Sequence, residues 1–320
     1  MILRGLRMMF KSTPPKIRIS KRRQTKTAQE ILDMLKKFLE EESAEPVEYL
    51  CGVWEQQKRG VTYAELRRAV KAGAIDTKWL RQWSEDYNRV VVEKLEPVWR
   101  KALASGASSN PLLRGGRLSW DSQSQRITEW VLERGGIFAE GCTKGQREAI
   151  QALLEYQLTE KLPIDHFCQA VMPCIGLTQR QAKSTMILYH RTKKDLIKDG
   201  LKTEAAHKKA LSIAQKYAEQ QHQRRALTIA QTEMAAAWNY GAEEAVRQAQ
   251  EQRLIGHVVR RWCTSGDDRV CESCAALDGT EVEMDSRFNA TTKTGSILSV
   301  EYPPLHSMCG CAVEYIEVQE

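Results

Sequence analysis

Apolar residues recur at intervals of three and four along most of the chain, and that spacing predicts helices. Over residues 27–42, Ile31, Leu32, Leu35, Phe38 and Leu39 share one helical face, and Thr27, three residues before Glu30, has the form of a capping box. Pro46 ends or restarts that helix. From 47 to 104, Trp54, Tyr63, Leu66, Val70, Trp79, Leu80, Trp83, Tyr87 and the run Val90-Val91-Val92 stand among charged residues. Two or three helices are expected there, with Thr62 and Asp76 or Thr77 as caps and Gly60 and Gly73 as breaks. Residues 105–124, rich in Gly, Ser and Asn, read as a loop or linker. Residues 125–160 read as helix interrupted at Gly135-Gly136 and Gly141. A helical pattern returns from Thr178 to about Gln252, opened by Gly176 and Thr178, broken at Gly200 and weakened at Gly241. After Gly256 the period changes: Val258-Val259, Val270, Thr280-Glu281-Val282, Ile297-Leu298 and Ala312-Val313 are short strand-like pieces between turns. No repeat of 20–50 residues is present.

The pattern implies a mainly α protein, in which helical N-terminal and middle regions precede a small α+β C-terminal domain, and there Cys271-x-x-Cys274 and His306-x-x-Cys309 have the spacing of zinc knuckles. The expected segments are a basic flexible arm at 1–29, a helical region at 30–170, a basic helical region at 171–255 and a small acidic metal-binding domain at 256–320. A length of 320 residues suits about two domains, and 42% hydrophobic with 28% charged residues gives enough apolar material for a core. No run reaches the ~18–20 apolar residues of a membrane span. The first ten residues carry Arg4 and Arg7 within their apolar part, unlike a secretory signal.

Charge alters the picture more than its total of +7 suggests. Residues 1–29 hold nine Lys/Arg and no acidic residue, so the rest of the chain is slightly negative. A basic arm fits an acidic partner such as nucleic acid; a solvated terminus is the plainer alternative. Residues 178–225 hold twelve Lys/Arg against four Asp/Glu, and residues 256–320 hold five against eleven. The candidates for phosphate contact on double-stranded DNA are Arg18, Lys21, Arg22, Arg23, Lys193, Lys194, Lys208 and Lys209. A solvated helix face is the competing reading of the middle segment.

Cysteine placement carries the strongest chemistry. Four of the nine, Cys51, Cys142, Cys168 and Cys174, are scattered through helical sequence and read as buried thiols of a reducing compartment. The other five are Cys263, Cys271, Cys274, Cys309 and Cys311. Cys271-x-x-Cys274 and His306-x-x-Cys309 each aim two ligands at one point, and two such knuckles supply the tetrahedral N/S set that zinc prefers. The expected ligands of one structural zinc ion are Cys271, Cys274, His306 and Cys309, with Cys311 as the alternate, because 309 and 311 share a face of an extended strand. A disulfide or a redox pair are the other readings of these thiols. A catalytic zinc is disfavoured because the available ligands fill its coordination sphere. His166, His190, His207 and His222 are isolated on helical sequence and read as surface or packed histidines. The eight tryptophans read as core anchors. No phosphate-binding glycine loop, nucleophile elbow or H-E-x-x-H is present, and no catalytic residue is assigned.

Three strings resemble one family. They are Gly176-Leu177-Thr178 with Gln181-Ala182; Ala226 with Ala230-Gln231-Thr232-Glu233 and Asn239-Tyr240-Gly241; and Trp262-Cys263-Thr264, Asp268, Cys271, Cys274, Leu277-Asp278-Gly279, Pro303-Pro304-Leu305-His306, Cys309 and Cys311. Over about 170–320 the chain resembles the phage Mu F-like minor head proteins, also described as phage head morphogenesis proteins. Two positions depart from the family pattern: Gln231 and Gly310 each stand where the family usually has Arg. The resemblance implies a non-enzymatic minor capsid component of a tailed phage or prophage. It would act near the portal in head assembly and DNA packaging, in contact with portal, scaffold or major capsid protein and not with a membrane. Its expected location is the virion head and, during assembly, the host cytoplasm. The alternative is a metal-dependent nuclease or toxin-type effector carrying a head-morphogenesis module.

Overall fold

The computed structural model describes residues 24–115, 118–267, 270–292 and 294–318. Its elements in order are α1 (Lys26–Glu42), α2 (Ala44–Gly60), α3 (Tyr63–Ala72), α4 (Thr77–Val90), a π-helical turn (Val91–Leu95), α5 (Glu96–Ser109), a 3-10 turn (Pro111–Leu113), α6 (Gln125–Glu160), α7 (Ile164–Val171), a second 3-10 turn (Met172–Cys174), α8 (Gln179–Lys198), α9 (Thr203–Glu251), β1 (Val258–Cys263), α10 (Glu272–Leu277), β2 (Glu281–Glu283), β3 (Phe288–Thr291), β4 (Ile297–Val300) and β5 (Ala312–Glu317). The protein is mainly α with a small α+β C-terminal portion. Among the described residues no helix is long and apolar enough to cross a membrane. The described residues form two compact units: residues 38–104 with 121–237, and residues 24–37 with 105–115, 118–120 and the described part of 238–318.

The helical unit is built around aromatic side chains that the 3.6-residue period turns inward. Trp54, Trp83, Tyr87 and Trp99 are all but inaccessible to solvent. Trp99 meets Trp130 and Phe138 edge to face, at centroid distances of 6.1 and 6.5 Å. Buried polar groups are paired in a chain: Trp54 Nε1 donates to Tyr87 Oη (2.9 Å), Tyr87 Oη to Gln146 Oε1 (2.6 Å), and Gln146 Nε2 to Gln57 Oε1 (3.1 Å). Burial pushes the Tyr87 phenol well above its ordinary range.

Helix starts follow the predicted caps at Thr62 and Asp76, and Gly73 closes α3 in the left-handed conformation. At α1 the cap is Thr25, whose hydroxyl accepts from Ala28 N at 2.9 Å, so Thr27 lies inside the helix. The glycines of α6 do not interrupt it. Gly135 is where Val91 presses on the helix, and a Cβ there would crowd Val91 Cγ1. Helix α9 likewise runs through Gly241. Helix α5 extends to Ser109, into the expected linker, because Gly106 lets its backbone pass the Trp238 carbonyl, where a Cβ would overlap. Val270 belongs to no strand, whereas Phe288–Thr291 forms β3. Six of the eight tryptophans are buried; Trp120 and Trp130 are half-exposed.

The C-terminal unit holds an antiparallel sheet of order β2-β1-β5 and a β3-β4 hairpin. The register pairs Arg260 with Val282 on one side and with Tyr315 on the other. Alternation along β1 turns Val258, Arg260 and Trp262 to the buried face. Trp262 packs on Phe288 at 5.1 Å, and Val246, Leu277 and Val313 join the same core. Arg260, at 0% exposure, is neutralised by Glu243 at 2.7 Å. It also donates to the carbonyls of Glu283 (3.2 Å), Glu301 (2.8 Å) and Ser286.

The first family-like string has a packing explanation. Gly176 sits at φ +85° against the Trp54 ring, and a Cβ there would overlap that ring. Thr178 and Gln181 form the capping box of α8, and Ala182 is fully buried. Gly176→Ala is therefore expected to destabilise the protein by about 2–4 kcal/mol, combining left-handed strain with overpacking. A urea unfolding midpoint unchanged from wild type would refute this.

Candidate metal centre

Cys271 is the N-cap of α10, and its sulfur accepts from Cys274 N at 3.4 Å. The C-x-x-C therefore opens a short helix instead of lying in a plain turn. On the other side, Cys309 N bonds back to His306 O at 3.2 Å, closing a tight turn that aims His306 and Cys309 the same way. His306 Nδ1 lies 2.8 Å from Ser307 O, which can only accept, so Nδ1 carries the proton and Nε2 presents its lone pair. That lone pair points between two sulfurs, 3.1 Å from Cys271 Sγ and 3.2 Å from Cys274 Sγ.

Cys274 Sγ is also 3.7 Å from Cys309 Sγ. The ligand atoms thus form two groups that share Cys274: Cys271, Cys274 and His306, and Cys274, Cys309 and Cys311, each with its atoms within 4.8 Å of one another. The structure thus gathers the five sequence-predicted ligands into two overlapping groups, and neither contains the whole expected set of Cys271, Cys274, His306 and Cys309: Cys309 groups with Cys311 and meets the other side only through Cys274. Cys263, the remaining cysteine of the C-terminal group, is buried with its sulfur 3.5 Å from Arg261 O and belongs to neither group.

The donor set fits a metal ion. A tetrahedral site with metal–sulfur bonds of ~2.3 Å places its sulfurs ~3.8 Å apart, close to the Cys274–Cys309 separation. Cys274, Cys309 and Cys311 are buried, whereas Cys271 is half-buried and His306 exposed. Without an ion the three buried sulfurs share protons. Hydrogen bonds from the thiols of Cys274 and Cys311 hold Cys309 far down, at about 2, and those donated protons keep Cys274 and Cys311 well above the ordinary thiol range. A cation at this place would take over the role of the shared protons.

The other residues of the third string are structural. Asp278 Oδ1 accepts from Thr264 N, Thr264 Oγ1 and Gln24 Nε2, each at 3.0 Å, which ties the end of β1 to the loop after α10. Gly279, at φ +76°, donates its N–H to Trp262 O at 2.8 Å. Asp268 lies outside the described residues. At Gly310, one of the two departures from the family pattern, a Cβ would meet nothing within 4 Å, so no steric demand fixes glycine there. Glu233, of the second string, is held by Arg134 through two bonds of 2.7 and 2.9 Å.

A further group, His166, Glu204 and His207, also has ligand atoms within 4.8 Å. Its geometry opposes a metal. The two imidazoles are stacked 3.9 Å apart at 13°, so their lone pairs lie in nearly parallel planes and cannot converge on one ion. Both His207 nitrogens are engaged at 2.8 Å, by Tyr189 Oη and Gln169 Oε1. Burial holds the His207 pKa down, so this ring is neutral. In sequence these histidines stand singly; the Glu204-x-x-His207 spacing was the available signal, and His166 is too distant in the chain to be linked to it.

Of the basic candidates, Lys194, Lys208 and Lys209 are exposed. Lys193 turns inward, 9% exposed, with Nζ 2.7 Å from His166 Nδ1, and so does not present its charge to a surface ligand as the other three do. Arg18, Lys21, Arg22 and Arg23 lie outside the described residues.

Comparison with known proteins returns no match among curated proteins or solved structures. A family model does match, over residues 194–314, which takes in the end of α8, all of α9, the second and third strings and every member of the cysteine–histidine cluster; the first string lies upstream of it. That stretch of the chain is similar to the phage Mu protein F like proteins.

Proposed function

We propose that the protein is a minor head protein of a tailed phage or prophage that acts near the portal vertex during head assembly. The observation that carries this reading is the match of residues 194–314 to the phage Mu protein F like family. Its partners are other head components, the portal, scaffold or major capsid protein, and its place is the head of the particle and the host cytoplasm during assembly. Its role is structural, without a catalytic step. Quantitative mass spectrometry of purified empty and DNA-filled heads tests it: a fixed low copy number in one or both is expected, and absence from every particle and precursor would sink the reading.

In this proposal one zinc ion knits the C-terminal unit together. Cys271, Cys274, His306 and Cys309 hold it, and Cys311 is the sulfur that could replace one of them. The ion supplies folding energy and no chemistry, because four protein ligands leave no position for water or substrate. Support comes from Nε2 of His306 facing two sulfurs and from the Cys274–Cys309 spacing of 3.7 Å. Purified protein is expected to carry one zinc per chain. Cys274→Ser, which removes the sulfur common to both groups, should abolish that metal and render residues 238–318 protease-sensitive, while the helical unit keeps its resistance. Cys311→Ser should retain the ion. Full zinc content in the Cys274→Ser variant would contradict the assignment.

DNA contact, in the same reading, is non-specific and made by the exposed Lys194, Lys208 and Lys209 together with the N-terminal Arg18, Lys21, Arg22 and Arg23. Replacing both Lys208 and Lys209 by Gln is expected to flatten the slope of log affinity against log salt by roughly 2, about one for each phosphate no longer neutralised. An unchanged slope would remove these two lysines from the interface.

A further inference from the structure

The helical unit contains a cavity of about 250 Å³ between α7 and α8. Leu162, Pro163, Phe167 and Ile197 make it apolar, and its charged lining is Lys193 and Lys194, with no carboxylate among the lining residues. Lys193 is the unusual member. It is 9% exposed, and its one hydrogen bond among the described residues goes to His166 Nδ1, at 2.7 Å. An ammonium carries three N–H donors, so two of them have no acceptor there. A withdrawn, under-coordinated ammonium is costly unless an anion completes it.

The surroundings hold that ammonium in place. His166 Nδ1 accepts from Lys193, so the ring proton sits on Nε2, 3.3 Å from Glu204 Oε2. Glu204 therefore hydrogen-bonds the far nitrogen of the ring and not Lys193, on which its charge acts only through space, and the Tyr189 ring lies 6.0 Å from the Lys193 ammonium. His207 stacks under His166 and is itself clamped by Tyr189 and Gln169. His190, three residues before Lys193 on α8, faces Tyr156 Oη at 3.2 Å and Glu160 at 3.9 Å.

We propose that this cavity captures the C-terminal residue of a partner polypeptide, with an apolar side chain in the cavity and the terminal carboxylate on the Lys193 ammonium. The volume suits one large side chain. A carboxylate and an apolar side chain belong to the same residue only at a chain's carboxyl end. A nucleic-acid phosphate does not fit, because a hydrated sugar–phosphate backbone gains nothing from an apolar floor and does not reach an ammonium buried to this degree. His166 and His207 are positioning residues that aim Lys193.

The test uses the full chain and a fluorescein-labelled Gly-Ser-Gly-Ser-Phe peptide, either as the free acid or as its C-terminal amide, in fluorescence anisotropy. The acid is expected to bind at least ~10-fold more tightly than the amide, and Lys193→Met should reduce that preference to less than ~2-fold. Ile197→Glu, at a position 40% exposed on the rim, gives a second variant that does not disturb the buried cluster; its added carboxylate should weaken acid binding by at least ~3-fold. Equal binding of acid and amide, no saturable binding up to ~1 mM, or a Lys193→Met variant that keeps the preference would each overturn the proposal. Should Lys193→Met fail to fold, undiminished acid binding by Ile197→Glu would overturn it as well.

Discussion

Arg260 is the point on which the C-terminal unit turns. Its guanidinium has no exposure, and an arginine can be there only if every part of it is answered. Glu243 from α9 supplies the countercharge, and three carbonyls, from the last residue of β2 and from the segments after β2 and β4, take the remaining donors. Burial alone would drive the Glu243 carboxyl upward, and the charges of Arg260 and Arg247 oppose that. Such a pair is weak evidence of net stability, because desolvation offsets much of its attraction. What it does is tie elements together: α9, β1 and the segments carrying Glu283, Ser286 and Glu301 all meet at one guanidinium. Arg247 extends the arrangement to Met284 O and Asp285.

That geometry matters because the strands are short and the unit has a thin core. β2 has three residues and β3 and β4 four each, so ladder bonds cannot hold the loops that carry the ligands. The cysteine–histidine cluster closes the other end, joining the start of α10 to the turn before β5. The packing and hydrogen bonds of Asp278, Gly279 and Trp262 connect β1 to the loop after α10. Most residues of the third string thus either point at the cluster or hold the backbone that does.

The helical unit solves burial differently. Its aromatic core is extensive enough to carry a chain of hydrogen-bonded polar groups through Trp54, Tyr87, Gln146 and Gln57, which ends at a Gln57 Nε2 without a partner among the described residues. It also carries two stacked imidazoles and a buried lysine, groups that a smaller core could not enclose. His222 illustrates the cost: packed on Trp54 and donating to Ile175 O, it is held by burial at a pKa of about 4 and stays neutral at ordinary pH.

Sequence alone indicated the helical character of most of residues 27–252, the change of period after Gly256 and the five ligand candidates, because periodicity and spacing are local quantities; the short helices α7 and α10 and the continuity of α6 were not legible in it. Caps at Thr62, Asp76 and Thr178 were legible for the same reason. Tertiary structure decided what depends on partners distant in the chain. Gly135 and Gly106 look like breaks in sequence, yet each sits within a continuous helix where a neighbouring group leaves no room for a Cβ. Lys193 reads as one more surface cation until α7 closes over it, and Arg260 reads as an ordinary strand residue until Glu243 is placed beside it. The two units also draw on separate stretches of chain, which no local pattern encodes. A sequence states which side of an element avoids water; only the fold states what that side meets.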